Sequence, residues 1–178
     1  VGVLINKPLL ESEWESRIKD ISKFDNYLRE TYQHLINDWE DAKINAHLAK
    51  APNSKRSREE LRAHKNFKFN FASPAQRLWL VKDKLGFPCS STSYAGGKKK
   101  VTYSANKQVI EDYKGKHPII EDLLTLAKLE AQEHYSHSYL QLLTPNSRIH
   151  TNFNIDVART GRLSSSGPNL QNVQRDSD

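Results

Sequence analysis

Glu13–Ala49, EWESRIKDISKFDNYLRETYQHLINDWEDAKINAHLA, is the stretch that decides the fold. Apolar residues recur every three or four positions, at Trp14, Ile18, Ile21, Leu28, Tyr32, Leu35, Trp39, Ala42 and Ala46. Only Asp25 breaks the pattern, and Phe24 beside it can substitute. This spacing follows the turn of an α-helix and predicts one long helix over 13–49, about 50 Å at 1.5 Å per residue. Ser12, with Glu15 three residues later, offers a capping box at its start. A stripe so narrow and so long needs a second helix to cover it.

A candidate partner begins at Pro118, a residue suited to the first turn of a helix. From Ile119 to Leu143, Ile120, Leu123, Leu124, Ala127, Ala131, Tyr135 and Leu142 fall at helical spacing. Two long helices, 13–49 and 118–143, can lie antiparallel and carry the intervening segment, 50–117, at their far end. That segment holds the positive charge. Of the 27 Lys and Arg in a chain of net charge +6, 14 lie between Lys50 and Lys107 against three acids, leaving 13 against 18 elsewhere. A basic block flanked by acidic sequence is the footprint of a surface that meets phosphate. A solvated lysine-rich face is the alternative, and an antiparallel helical pair that binds protein would show the same helices.

Within the tip, APNSKRSREELRAHK (51–65) is polar, basic and proline-broken, and reads as a loop followed by a short helix. In FKFNFASPAQRLWLVKDKLGFP (67–88), Ser73 before Pro74 predicts a helix start and Gly86 its end. SSTSYAGGKKKVTYS (90–104) combines a glycine pair with Lys98, Lys99 and Lys100 and reads as a charged loop.

After the second helix, RIHTNFNID (148–156) alternates Ile149, Phe153 and Ile155 with polar neighbours, as a short half-buried strand does. TGRLSSSGPNLQN (160–172) follows as a loop or edge strand, with Gly161, Gly167 and Pro168 supplying turns. The fold class expected is mainly α with a small β part (α+β). Arg162, Asn169, Gln171 and Asn172 are fixed donors, Arg162 as a rigid fork and the amides with one NH2 group each. Every correct base pair shows acceptors in the minor groove, so such donors can test pair geometry without reading sequence. Alternatively, Asn169 and Asn172 cap turns and Arg162 pairs with a surface carboxylate.

TGRLSSSGPNLQN resembles the palm motif of family A DNA polymerases, the group that contains bacterial DNA polymerase I. GVLINKPLL (2–10), FNFASPAQ (69–76), LAKL (126–129) and RIHTNF (148–153) resemble further family strings and occur in family order. The resemblance implies a thumb subdomain over 13–145, between a palm entry segment (1–12) and the start of the palm (146–178). It implies backbone contacts to primer-template DNA from Asn70 and Ser73, from Lys99, Lys100, Thr102 and a helix-starting Ser104, and from Lys128. Lys98 belongs to the same charged run. Lysines of this kind provide affinity and salt dependence without sequence preference. Ser73 also reads as a plain helix cap. Three departures from the family pattern stand out: Leu124 where Arg is usual, Gly167 where Asp is usual, and Gln174 where a proline commonly follows.

The resemblance further implies a nucleotidyltransferase that uses Mg2+ and deoxynucleoside triphosphates. Its first catalytic aspartate, nucleotide-binding helix and His-Asp-Glu turn are expected beyond residue 178, so neither catalytic residues nor metal ligands are expected here. A chain without methionine, ending in QRDSD, reads as a piece of a longer protein, with Asp176 and Asp178 unassigned. Whether an accessory protein meets the basic tip stays open. His134 and His137 could suggest a metal site, though a solvent-facing pair explains them too. No phosphate-cradling glycine loop, CxxC pair or nucleophile elbow is present. The one cysteine, Cys89, lacks a nearby base in sequence, reads as inert, and fits a reducing compartment. With no apolar run of spanning length and no secretory leader, a soluble intracellular protein is expected, in the cytoplasm or nucleoid, in an organelle matrix, or in the host cytoplasm if the source is viral.

Overall fold

The computed structural model describes residues 2–51, 55–95, 98–154 and 163–172, without side chains at 91–95, 98–100 and 172. The fold is mainly α with a small β part. β1 (Val3–Leu4) leads into α1 (Lys7–Lys50), followed by α2 (Arg58–Ala63) and α3 (Pro74–Leu78), which continues as π-helical turns over Trp79–Lys84. β2 (Ser90–Ala95), β3 (Lys98–Tyr103), α4 (Lys107–Glu111) and α5 (Pro118–Gln141) come next, then β4 (Arg148–Ile149), β5 (Asn152–Asn154) and β6 (Ser164–Ser166). The strands pair antiparallel as β1–β4, β2–β3 and β5–β6. The chain forms two compact units, one of 24–127 and one of 1–23 with 128–178.

α1 starts at Lys7, ahead of the expected Glu13, so Ser12 and Glu15 lie inside the helix rather than at its cap. Asn6 takes that role: its Oδ1 accepts the Leu9 N–H (3.3 Å), with Pro8 in the first turn. Within the unit of 24–127, the facing parts of α1 and α5 run antiparallel, with Tyr27 opposite Asp122 and Tyr32 opposite His117. Tyr27 and Tyr32 of α1 both donate their hydroxyls to Asp122 Oδ2 near the start of α5 (3.4 and 2.6 Å). In the other unit, the Trp14 indole donates to Glu133 Oε1 (2.7 Å) and stacks on His137 (5.4 Å, 11°). Burial, reinforced by the bond to Asp122, pushes the Tyr32 phenol well above the ordinary tyrosine range.

The buried line of α1 is Leu28, Tyr32, Ile36, Glu40 and Ile44, a step of four throughout. Leu35 and Trp39 are only half-buried, and Ile18, Ala42 and Ala46 are exposed, contrary to the expected stripe. Each step of four overshoots a full turn by about 40°, so the buried line winds around the helix. It begins against α5 and ends against Phe67–Phe71, where His47 meets Phe67 and Trp39 meets Phe69 edge-on. The helix kinks at Tyr32 (φ −112°, ψ 16°), within the winding. On α5, Ile119, Ile120, Leu123 and Leu126 are buried while Tyr135 and Leu142 are exposed, and the helix ends at Gln141 rather than Leu143.

Two further expectations change. The 90–104 stretch is not a loop but the β2–β3 hairpin, in register from Ser90↔Tyr103 to Ala95↔Lys98. RIHTNFNID is two strands in two sheets, with Ile149 buried and Phe153 58% exposed, because β5 uses its backbone to pair β6 rather than to cover a core. Ile155 lies outside the described residues. Gly86, at φ +78°, ends the π-helical stretch as expected.

Candidate nucleic-acid interface

In the unit of 24–127, the sequence FKFNFA alternates inward and outward. Phe69 and Phe71 are fully buried, in ring contact with each other and, through Phe69, with Trp39 and Trp79. Lys68, Asn70 and Ala72 are exposed between them. The backbone here is fixed by ions. Glu40 Oε1 accepts the Phe69 N–H (2.8 Å), and the Phe69 carbonyl accepts from Arg29 Nη2 (2.5 Å). Arg29 is itself held by Asp25 (2.7 Å) and lies 3.9 Å from Glu40. Glu40, only 4% exposed, is the anchor that sequence reading missed, because a lone acid on a charged helix reads as solvent-facing.

Asn70 and Ser73 follow directly. The Asn70 N–H donates to Gln76 Oε1 (2.7 Å), and its Oδ1 accepts the Ala72 N–H (2.9 Å). Since a backbone N–H can only donate, the atom bonded to Ala72 is the amide oxygen, and Nδ2 is left to face outward. Ser73 occupies the cap position of α3 without making a side-chain capping bond, so its hydroxyl is unused. Gln76 closes the turn in its place.

In the hairpin, Lys98, Lys99 and Lys100 pair by backbone with Ala95, Tyr94 and Ser93, and their side chains lie outside the described atoms. Thr102 is exposed opposite Ser91. Lys82 sits over the Tyr103 ring (4.3 Å). Ser104 does not start the next helix: Asn106 does, accepting the Val109 N–H (3.0 Å), while the Ser104 hydroxyl accepts the Asn106 N–H (3.2 Å). Cys89 is buried at φ +45°, and burial pushes its thiol up. Lys82 pulls the other way, a basic neighbour the sequence did not show, but burial outweighs it and favours the unreactive thiol.

In the second unit, Lys128 is exposed on α5. The Ser164–Asn172 stretch is built from its own polar groups. Ser165, 5% exposed, accepts the Leu170 N–H (3.0 Å) and donates to Asn169 Oδ1 (3.1 Å), which also accepts the Gln171 N–H (3.0 Å). Gln171 Nε2 donates to the Leu163 carbonyl (2.6 Å). Asn169 therefore does hold a turn, and its Nδ2 remains for an outside acceptor, as does one hydrogen of Gln171. Asn172 closes a short 3-10 turn with its side chain outside the described atoms, and Arg162 lies outside the described residues. Of the histidines, His134 is exposed and His137 is the Trp14 stacking partner. Among the described residues, no group of three His, Cys, Asp or Glu could hold a metal ion. No helix among them is long and apolar enough to cross a membrane.

Residues 42–178 match the model of DNA polymerase family A. The chain belongs to that family. It is 42% identical over 114 residues to DNA polymerase I of Synechocystis sp., covering 62% of this chain and 11% of that protein. To DNA polymerase I of Bacillus subtilis it is 35% identical over 107 residues, covering 59% and 12%. Its fold is similar to the POL domain of Pol1 from M. smegmatis, solved in complex with DNA primer-template and dNTP. The TM-score there is 0.58 at 22% identity, over 99% of this chain and 25% of that one. The chain thus spans about a tenth of the length of these curated relatives.

Proposed function

We propose that this chain is the thumb and first part of the palm of a DNA-directed DNA polymerase, and that it holds the primer-template duplex. One observation carries the reading. A buried ionic anchor fixes the Phe69–Ser73 backbone and leaves Asn70 Nδ2 and the Ser73 hydroxyl unused, on a basic tip. Neutral donors on a fixed backbone position a phosphate, and lysines around them supply the affinity. On this reading Lys98, Lys99, Lys100, Thr102, Ser104 and Lys128 line the DNA backbone. Asn169, Gln171, Asn172 and Arg162 meet minor-groove acceptors.

The whole protein would transfer nucleotides from deoxynucleoside triphosphates. Its Mg2+ would be held by carboxylates beyond residue 178, supplying charge stabilisation at the triphosphate. The present chain would bind DNA without extending a primer. Fluorescence anisotropy with a labelled primer-template tests the role across a salt series. Salt-sensitive binding is expected, with Arg162→Ala weakening it at a primer junction more than on blunt duplex. A chain that binds no duplex even at low salt would instead fit a helical pair that binds protein.

A further inference from the structure

We infer that Arg77 is a phosphate anchor of the tip, acting with Ser73 on a backbone phosphate of the duplex; the inference rests on the duplex-holding role proposed above. Arg77 sits one helical turn after Ser73, its N–H bonded to the Ser73 carbonyl (2.9 Å), so the two side chains share a face of α3. The residue is half-buried, and its Nε is buried with no hydrogen-bond partner.

The other described arginines each have a partner, although Arg17 shares a buried Nε without a hydrogen bond. Arg29 is held by Asp25 and the Phe69 carbonyl, Arg58 and Arg62 by Asp41, Arg17 by Glu13, and Arg148 by the Gly2 carbonyl. Arg56 also has a partner. Among the described residues, Arg77 is the arginine with neither an ion pair nor a side-chain hydrogen bond.

A guanidinium cannot shed its charge, so a desolvated donor left unmet is a standing cost that calls for an explanation. Because Nε itself is closed to solvent, an external oxyanion would meet the Nη groups, supplying the counter-charge that the guanidinium lacks among the described residues. Phosphate matches the planar fork with paired acceptors. The surroundings select an anion: Phe67–Leu78 contains no acidic residue, and the nearby Ser73 hydroxyl is a second unused donor. Unlike a lysine on a long free stem, this arginine is seated before the ligand arrives.

The test compares wild type, Arg77→Leu and Arg77→Lys of the 178-residue chain for thermal melting and duplex anisotropy over a salt series. Arg77→Leu removes the unmet donor and is expected to melt no lower than wild type. It should nevertheless bind about tenfold more weakly, with the slope of log K against log salt shallower by about 0.9. Arg77→Lys should keep the slope and lose a few-fold in affinity, because charge survives and the fork does not. Wild-type affinity and slope in Arg77→Leu would overturn the anchor and leave the duplex role standing. If Arg77→Leu does not fold, unchanged affinity in Arg77→Lys would overturn it equally. A wild-type chain that binds no duplex removes both readings and points to a carboxylate of a protein partner in the fork.

Discussion

The Phe67–Arg77 and Leu163–Asn172 segments display the same polar residue types and hold them by opposite means. In the first, aromatic burial and the Glu40–Arg29–Asp25 network fix the backbone from beneath, so Ser73 is released from structural duty while Asn70 and Gln76 each hold one further backbone N–H. In the second, Ser165, Asn169 and Gln171 build the turn with their own side chains, so each donor offered outward is what remains after internal bonding. A polar residue in a binding motif is therefore not automatically a binding group. At Ser73 substitution should test contact alone, whereas at Asn70 and throughout the second segment it tests contact and shape together.

The largest effect expected is at the foundation of the first segment. Glu40→Ala should cost about 3–5 kcal/mol in urea unfolding, because it leaves a buried N–H and an arginine partly uncompensated. Glu40→Gln, which keeps an acceptor, should recover part of the loss. A cost below about 1 kcal/mol for Glu40→Ala would mean that the aromatic packing alone seats Phe69. Next comes Ser165→Ala, expected to cost about 1–3 kcal/mol by orphaning the Leu170 N–H. Faster hydrogen exchange at Leu170, with Asn70 unchanged, would sharpen the contrast, whereas an unchanged Leu170 rate would break it.

A control outside both segments follows from Tyr32. Its phenol is raised above the unfolded value of about 10, so its contribution is complete below that pH and is lost as pH rises through the folded value. Tyr32→Phe should cost about 1.5 kcal/mol at neutral pH and flatten the alkaline loss of stability seen in wild type. The smallest effect belongs to a pair of serines. Ser57 caps α2 in a full capping box with Glu60, and Ser57→Ala should cost about 1 kcal/mol. Ser73→Ala should change thermal stability by less than about 0.5 kcal/mol while weakening duplex binding. Equal costs at the two serines would mean that Ser73 is an ordinary cap.

The long helices were legible because a period of 3.6 persists through noise, and Ser73-Pro74 and Gly86 punctuate clearly. The winding of the buried line was not, since it depends on where α1 exchanges α5 for Phe67–Phe71, a tertiary fact. Glu40 was illegible for the same reason. The hairpin was legible in principle: a Gly-Gly pair between runs rich in Ser, Thr, Tyr and Val is a two-residue hairpin signal, and the three lysines obscured it. Asn6-Lys7-Pro8 likewise announces a helix start that the later Ser12–Glu15 pair masked. For the site, residue types and their order could be read, but not which hydrogen of Asn169 or Gln171 is already engaged.

Trp14, stacked on His137 and bonded to Glu133, gives the chain a natural optical reporter. Trp39 and Trp79 lie with Phe69 in the other unit. An indole's emission follows its immediate neighbours, so removing the ring stacked on Trp14, as in His137→Leu, should change one lamp and leave the other two as they were. Emission compared between wild type, His137→Leu and Trp14→Phe would let each half of the molecule be watched separately without attaching a dye.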